Sequence, residues 1–295
     1  MIEYDFLIAK DVDSALEYLH KYESIKVLAG GTDLLVDIHK ESSRLEKFDY
    51  ILDISNIKAL QFIDETEDTE DSVELGPLCT HTMLINSNII NKHFPFLVTA
   101  AKSIGSTQIR NRGTVGGNIS NASPAADLIP PLMALNSEIE LSSVRGRRLV
   151  KLENYIVGPY KTVKNNDELV TKIIIPKVDG NYRFSFQKIG RRRALNIARL
   201  NLAIVAKINE QNSEIEDIRI VPGSATPFPV RFKNIEGEIL NQKVNQLNLE
   251  ELAKKIGDEM VKITGERWST PYKKPALGAI FKKAIIEVTN SNRKF

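Results

Sequence analysis

The chain has 295 residues, 42% hydrophobic and 26% charged, enough to bury a sizeable core as one large domain or two to three smaller ones. Lys and Arg outnumber Asp and Glu only by 40 to 38, so nothing indicates a basic surface for nucleic acid. A lone cysteine, Cys79, excludes an internal disulfide and a four-cysteine zinc or iron–sulfur site, and the scattered His20, His39, His81 and His93 lack metal-ligand spacing. The N-terminal "MIEYDFLIAKDVDSALEYLH" carries acids throughout and lacks the basic head and apolar run of a signal peptide. No segment approaches the ~18 apolar residues of a membrane span, and a reducing, cytoplasmic setting is expected.

In chain order, "DVDSALEYLHKY" spaces Val12, Ala15, Leu16 and Leu19 along one helical face, with Asp11 or Asp13 as cap. "IKVLA" reads as a short buried strand ending at Gly30-Gly31, "TDLLVDIHK" as a helix start and "YILDI" as another strand, an order typical of mixed α/β organisation. From "LQFIDE" through the acidic "ETEDTEDSVELG" the pattern predicts a strand, a solvated hairpin and a second strand. "THTMLINSNII", capped by Thr80, and "FPFLVTAAKSIG", ended by Gly105, read as helices. "SEIELSS", "GRRLVKL" and "ELVTKIIIP" read as strands, the last stopped by Pro176. "NYRFSFQKIG", "LNLAIVAKINE" and "EDIRIVPGS" alternate like strands of a largely antiparallel sheet, and "LEELAKKIGDEMVKIT" and "PALGAIFKKAIIEV" close the chain as amphipathic helices. The change of pattern puts a boundary near Pro176 to Gly180.

One stretch does not fit this scheme. "RNRGTVGGNISNASPAADLIPPLMAL" passes from charge and glycine through small polar residues to an apolar run. It is either a long surface loop or a backbone cradle for something polar. Glycine lets a ligand's oxygens approach the main chain, and successive N–H groups in such turns form anion-binding concavities. Gly30-Gly31 and Gly113, Gly116 and Gly117 make two such clusters, and a helix after the first would add the positive end of its dipole. Facing each other, they would hold a pyrophosphate from both sides; each alone is equally an ordinary tight turn. Neither is a P-loop or a G-x-G-x-x-G turn.

Together, "VLAGGTDLLVDIHK" and "IRNRGTVGGNISNASPAADLIPPLMAL" resemble the two FAD-binding motifs in the flavoprotein subunit of molybdenum hydroxylases, the xanthine dehydrogenase, CO dehydrogenase and nicotinate dehydrogenase family. "DFLIAKDVDSALEYL", "DELVTKIIIP", "FSFQKIGRRRALNIA" and "PYKKPALGAIFKK" extend the resemblance over nearly the whole chain. It implies an α+β fold: a two-subdomain FAD-binding domain of the vanillyl-alcohol-oxidase (PCMH) type over residues 1–176, with subdomains of about 1–57 and 58–176. A C-terminal α+β domain of the CO dehydrogenase flavoprotein type, with antiparallel sheet and helices, would cover 180–290.

Residue by residue, the resemblance implies a first phosphate loop of Val27, Leu28, Ala29, Gly30, Gly31, Thr32, Asp33 and Leu34. A second loop would contain Thr114, Val115, Gly116, Gly117 and Asn118. Ile104 matches an apolar residue packing on the cofactor, Ser123 and Asp127 match hydrogen-bonding partners of the adenosine half, and Val170 and Lys188 match positions near the isoalloxazine. A lysine there would stabilise negative charge on reduced flavin. Competing accounts exist for each: Ile104 and Val170 as core, Asp127 as a cap for "LIPPLMAL", Lys188 pointing to solvent, Arg191–Arg193 as a solvated run rather than a partner-docking patch, and Cys79 as inert packing.

No side-chain catalytic constellation is apparent, and none is needed if a flavin carries the chemistry. The implied role is electron relay: a large molybdopterin subunit oxidises substrate, a small two-iron two-sulfur subunit passes electrons on, and this chain's FAD delivers them to NAD or another acceptor within a heterotrimer. With one cysteine the chain lacks the iron–sulfur insertion of 4-hydroxybenzoyl-CoA reductase, and no residue in either motif suits covalent flavin attachment. Two alternatives remain: a stand-alone flavin reductase or oxidase of the enolpyruvyl-glucosamine reductase type, and a non-catalytic scaffold that has lost flavin.

Overall fold

The protein was analysed as a computed structural model, which describes residues 3–65, 71–192 and 197–290. A small parallel sheet comes first, with order β1-β3-β2: β1 (Asp5–Ile8), β2 (Ile25–Leu28) and β3 (Tyr50–Asp53). α1 (Val12–Lys21) links the first two strands. Asp11 and Ser14 close its N-terminus reciprocally, with the Ser14 N–H donating to Asp11 Oδ1 at 2.8 Å. Its apolar face, Ala15, Leu16 and Leu19, is buried with Leu52 and Ile54. α2 (Leu34–His39) follows β2 directly after Gly31, whose φ of +72° favours glycine.

The next part is an antiparallel sheet of order β4-β5-β10-β6-β7 with helices in between. Its elements are β4 (Ile63–Asp64), β5 (Ser72–Leu75), α3 (His81–Asn86), α4 (Asn88–His93), α5 (Pro95–Lys102), α6 (Thr107–Arg112), α7 (Val115–Asn121) and α8 (Ile129–Ala134). After them come β6 (Glu138–Ser143), β7 (Gly146–Lys151), α9 (Leu152–Tyr155), the small hairpin β8 (Ile156–Gly158) with β9 (Lys161–Thr162), and β10 (Leu169–Pro176).

Three local departures from the sequence reading have visible causes. The expected helix over 80–90 is split at Ser87, which takes extended dihedrals and caps α4, accepting from the Ile90 N–H at 3.3 Å. In "LQFIDE" only Ile63 and Asp64 pair, because Leu60 closes a 3-10 turn over Lys58–Leu60. The glycine-rich stretch is two short helices rather than one long loop, capped by the hydroxyls of Ser106 and Thr114.

The C-terminal sheet is a meander of β11 (Tyr182–Gly190), β12 (Ala198–Ile208) and β13 (Ile215–Gly223), followed by α10 (Lys233–Ile239), α11 (Leu249–Thr264) and α12 (Thr270–Thr289). Alternation along these strands feeds two different cores. Phe184, Phe186, Ala203 and Val205 join the core of the preceding sheet and helices, while Leu200, Leu202, Ile204 and Ile218 join the core beneath α11 and α12. α12 starts earlier than its apolar pattern and runs through Pro275. The lost hydrogen bond is offset by close packing on α11, where Gly278 lies so near the Ala253 carbonyl that a Cβ would come within 2.6 Å of its oxygen. Arg191 and Arg192 are exposed at the end of β11; Arg193, like residues 66–70 of the acidic run, lies outside the described residues. Among the described residues no helix is long and apolar enough to cross a membrane.

Candidate functional site: a glycine-flanked cleft

The two glycine clusters meet. Gly30, just after β2, rests against the carbonyl of Arg112 at the end of α6, so closely that a Cβ at Gly30 would be 2.0 Å from that oxygen and 3.1 Å from Gly113 Cα. Beside this contact opens a cleft of about 440 Å³, within the range of small-molecule sites. Val27, Ala29, Thr32, Asp33 and Leu34 line it with the glycines of the first loop, and so do Thr114, Gly116, Gly117 and Asn118 of the second loop and Val170.

The loops differ in what they offer. The backbone N–H groups of Gly30, Gly31, Thr32, Asp33 and Leu34 have no acceptor among the described residues, which leaves a run of donors at the cleft. At the second loop four of the five amides are taken. Val115 N–H donates to Cys79 O at 2.9 Å, Gly116 N–H to Pro77 O at 2.8 Å, Gly117 N–H to Thr114 Oγ1 at 3.1 Å, and Asn118 N–H to Thr114 O at 2.9 Å. The expectation that both loops would grip through main-chain amides is therefore corrected. The second loop presents hydroxyl and amide side chains and open space, with Asn118 Oδ1 buried and unpartnered. Gly116 is small for a further reason: a Cβ there would lie 2.4 Å from Pro77 Cβ.

Basic side chains also line the cleft. Arg44 pairs with Asp37 at 2.5 Å and lies over the Tyr160 ring at 4.4 Å. Lys164 Nζ donates to the carbonyls of Asn165 (3.0 Å) and Glu168 (3.1 Å), and burial holds its pKa down. Burial, reinforced by Asp37, raises that of Asp33. Of these side chains only Asp33 was singled out from sequence; Arg44, Tyr160 and Lys164 were not, nor was His81, the first residue of α3. Its ring edge packs on the bare Cα of Gly113, and its Nδ1 is buried without a partner.

Burial, and secondarily Arg110, lowers the His81 pKa to about 4. The unfolded chain therefore binds a proton between pH ~6.5 and ~4 that the folded chain refuses, so stability must fall as the pH falls through that window, by about 3 kcal/mol in full. Unfolding free energies from urea titrations of wild type and His81→Phe at pH 7 and pH 4 should diverge by that much, the variant losing less on acidification.

Six of the sequence-derived site residues lie away from the cleft lining. Leu28 is the last residue of β2, close beneath Gly31. Val115 is fully buried core, and Ile104 is half-buried against the same core, its carbonyl accepting from Arg110 Nη1 at 3.0 Å. Ser123 makes a local turn, its Oγ accepting from the Ala125 N–H at 3.3 Å. Asp127 and Lys188 form a buried ion pair at 2.6 Å. Lys188 also donates to Ser103 O at 2.9 Å, and Asn201 Nδ2 donates to Asp127 Oδ1 at 2.9 Å. Asp127 thus does not cap α8, which has no side-chain cap, and Lys188 does not point to solvent. Burial pushes the Asp127 carboxyl up, against the pull of Lys188 and Asn201. Cys79 is packed, its thiol donating to Phe62 O at 2.8 Å and pushed up to about 11 by burial. Among the described residues no His, Cys, Asp and Glu cluster suits a metal ion.

Residues 2–178 match the family model described as the FAD binding domain in molybdopterin dehydrogenase. The chain belongs to that family. Residues 185–288 match the CO dehydrogenase flavoprotein C-terminal domain, so this FAD-binding subunit is an oxidoreductase component along its whole length. It is 32% identical to the glyceraldehyde dehydrogenase medium chain of Sulfolobus acidocaldarius, over 97% of this chain and 98% of that one. It is 30% identical to the nicotinate dehydrogenase FAD-subunit of Eubacterium barkeri, over 98% and 97%. The carbon monoxide dehydrogenase structure from Hydrogenophaga pseudoflava superposes with a TM-score of 0.86 at 25% identity, covering 97% of each chain.

The site fits the family's cofactor on its own geometry. Free amides in sequence suit a diphosphate, the cleft beside Gly117 is space that a side chain would fill, and unpartnered Asn118 Oδ1 and His81 Nδ1 leave hydrogen-bonding capacity unused.

Proposed function

We propose that this chain holds FAD non-covalently as the medium subunit of a heterotrimeric molybdenum hydroxylase. Electrons would come from iron–sulfur clusters of a small subunit, after substrate oxidation at a molybdopterin-bearing large subunit, and leave to NAD or another acceptor. The observation that carries this reading is the run of amides from Gly30 to Leu34 with no acceptor among the described residues, in a segment that lines the same cleft as the second glycine loop.

Bound FAD would supply the redox chemistry that these side chains lack. The first loop would donate N–H groups to the diphosphate, and Thr114 and Asn118 would contribute side-chain hydrogen bonds from the other wall. Val27, Ala29 and Val170 would shield the bound cofactor from water. Ile104, Ser123, Asp127 and Lys188 belong to the same proposal, with the buried ammonium of Lys188 favouring negative charge on whatever lies against it.

Purifying the chain and recording its absorption spectrum, before and after added FAD and gel filtration, tests this reading. A yellow protein with about one FAD per chain is expected, with little turnover of small organic substrates in the absence of partner subunits. A colourless chain that fails to retain added FAD would overturn it.

A further inference from the structure

We propose that the turn carrying Trp268, with Tyr272, Arg199, Arg267 and Lys273, is a docking face for an acidic surface of a partner protein subunit; this rests on the heteromeric assembly proposed above. Trp268 is the chain's only tryptophan and is 91% exposed. Tyr272, four residues on, is 43% exposed, so aromatic surface faces water here. The indole is not on a loose loop. Gly265 at φ +67° ends α11, Thr270 N–H donates to Arg267 O at 2.9 Å, Arg267 N–H donates back to Thr270 Oγ1 at 2.9 Å, and Arg267 Nε reaches Thr264 O at 3.2 Å. A turn tied this way presents its apex side chain already ordered, which removes part of the cost of binding.

Charge selects the occupant. Arg199 lies over the Tyr272 ring at 5.3 Å, and Lys273 Nζ donates to Ser224 O at 2.5 Å. Neither Arg199, Arg267 nor Lys273 has a carboxylate partner among the described residues. Burial, then Arg267 and Arg199, depresses the pKa of Lys273, so the cations are close enough to repel one another. The carboxylate nearest in sequence, Glu266, acts on Lys274. An acidic face from outside relieves this repulsion, whereas a second copy meeting the same patch would double it. Trp, Tyr and Arg are also the side chains that dominate protein interfaces. Ser224, which receives Lys273, donates its own N–H to Pro124 O at 2.9 Å, so the face adjoins the segment that carries Asp127.

The test uses the complex isolated through an affinity tag on this chain. Hydroxyl-radical footprinting with peptide mass spectrometry compares Trp268 and Tyr272 in the assembled complex and in the chain released from it by salt. Protection in the complex is expected. Trp268→Ala, and separately Arg199→Glu with Arg267→Glu, should weaken assembly at least about 10-fold with FAD content unchanged. A complex in which Trp268 stays fully reactive, or variants that assemble normally, would overturn the docking face and leave the flavin-subunit reading intact. Protection of the free chain by NADH would reassign the patch to a dinucleotide, and protection by self-association would reassign it to a second copy; either overturns the proposal. A chain that is yellow yet purifies with no partner would overturn the docking face together with the heteromeric assembly.

Discussion

Gly30→Ala is expected to abolish flavin retention. The new methyl would lie 2.0 Å from the Arg112 carbonyl oxygen and 2.7 Å from its carbon. Both are main-chain atoms, so no rotamer change relieves the overlap and the two loops must part. Overpacking of this kind costs about 1–3 kcal/mol or more of stability. The donors lining the cleft move with it, which should lower FAD affinity by at least about 100-fold, ~3 kcal/mol. Bound FAD per chain after gel filtration and the thermal midpoint measure the two effects. Gly117→Val is the control: a Cβ there meets only Thr114 Oγ1, at 2.9 Å, and otherwise enters open cleft. It should reduce FAD binding with little loss of Tm, whereas Gly116→Val, pressed on Pro77, should lose both. Normal FAD content in Gly30→Ala would mean that the loop contact does not shape the site.

Lys188→Ala should be the most destabilising single change. The side chains of Lys188 and Asp127 are 9% and 8% exposed, and removing the ammonium leaves a buried carboxylate with Asn201 as its remaining side-chain partner. Breaking a buried pair in this way costs about 3–5 kcal/mol. The sign of the pH dependence follows. Without Lys188 the carboxyl's pKa in the folded state rises further above its unfolded value near 3.8, and the folded chain binds the extra proton. The deficit is therefore largest near neutrality and shrinks as the pH falls toward 4. Urea titrations at pH 7 and pH 5 would measure it, and Asp127→Asn in the Lys188→Ala background should recover part of the loss. A deficit that does not change with pH would show that the missing alkyl chain matters more than the missing charge.

Some of this architecture is written in local pattern. α1 is legible because its cap and its apolar face are both local features, and β12 because the continuous apolar run Leu202–Ala206 reads as a strand buried on both faces. The glycine clusters were equally plain, although nothing in their spacing says that Gly30 meets Arg112. Which amides remain free was not fully legible: Thr114 takes those of Gly117 and Asn118 locally, but Pro77 and Cys79 take those of Gly116 and Val115 through contacts set only by the tertiary fold. His81 gave no signal among four scattered histidines, because its burial depends on a bare Cα at Gly113, more than thirty positions away. Lys188 illustrates the limit of periodicity. Alternation assigns it to the face of Phe184 and Phe186, but it cannot reveal that this face is covered by the first half of the chain.

The C-terminal sheet is held from both faces. On one side Glu287 of α12 holds Ser185 and Gln187, at 2.6 Å each; one residue further along the strand, Lys188 reaches the opposite way to Asp127. The Trp268 turn leads into the N-terminus of that same long helix. One helix thus joins the exposed indole's turn to the strand that carries the buried ammonium.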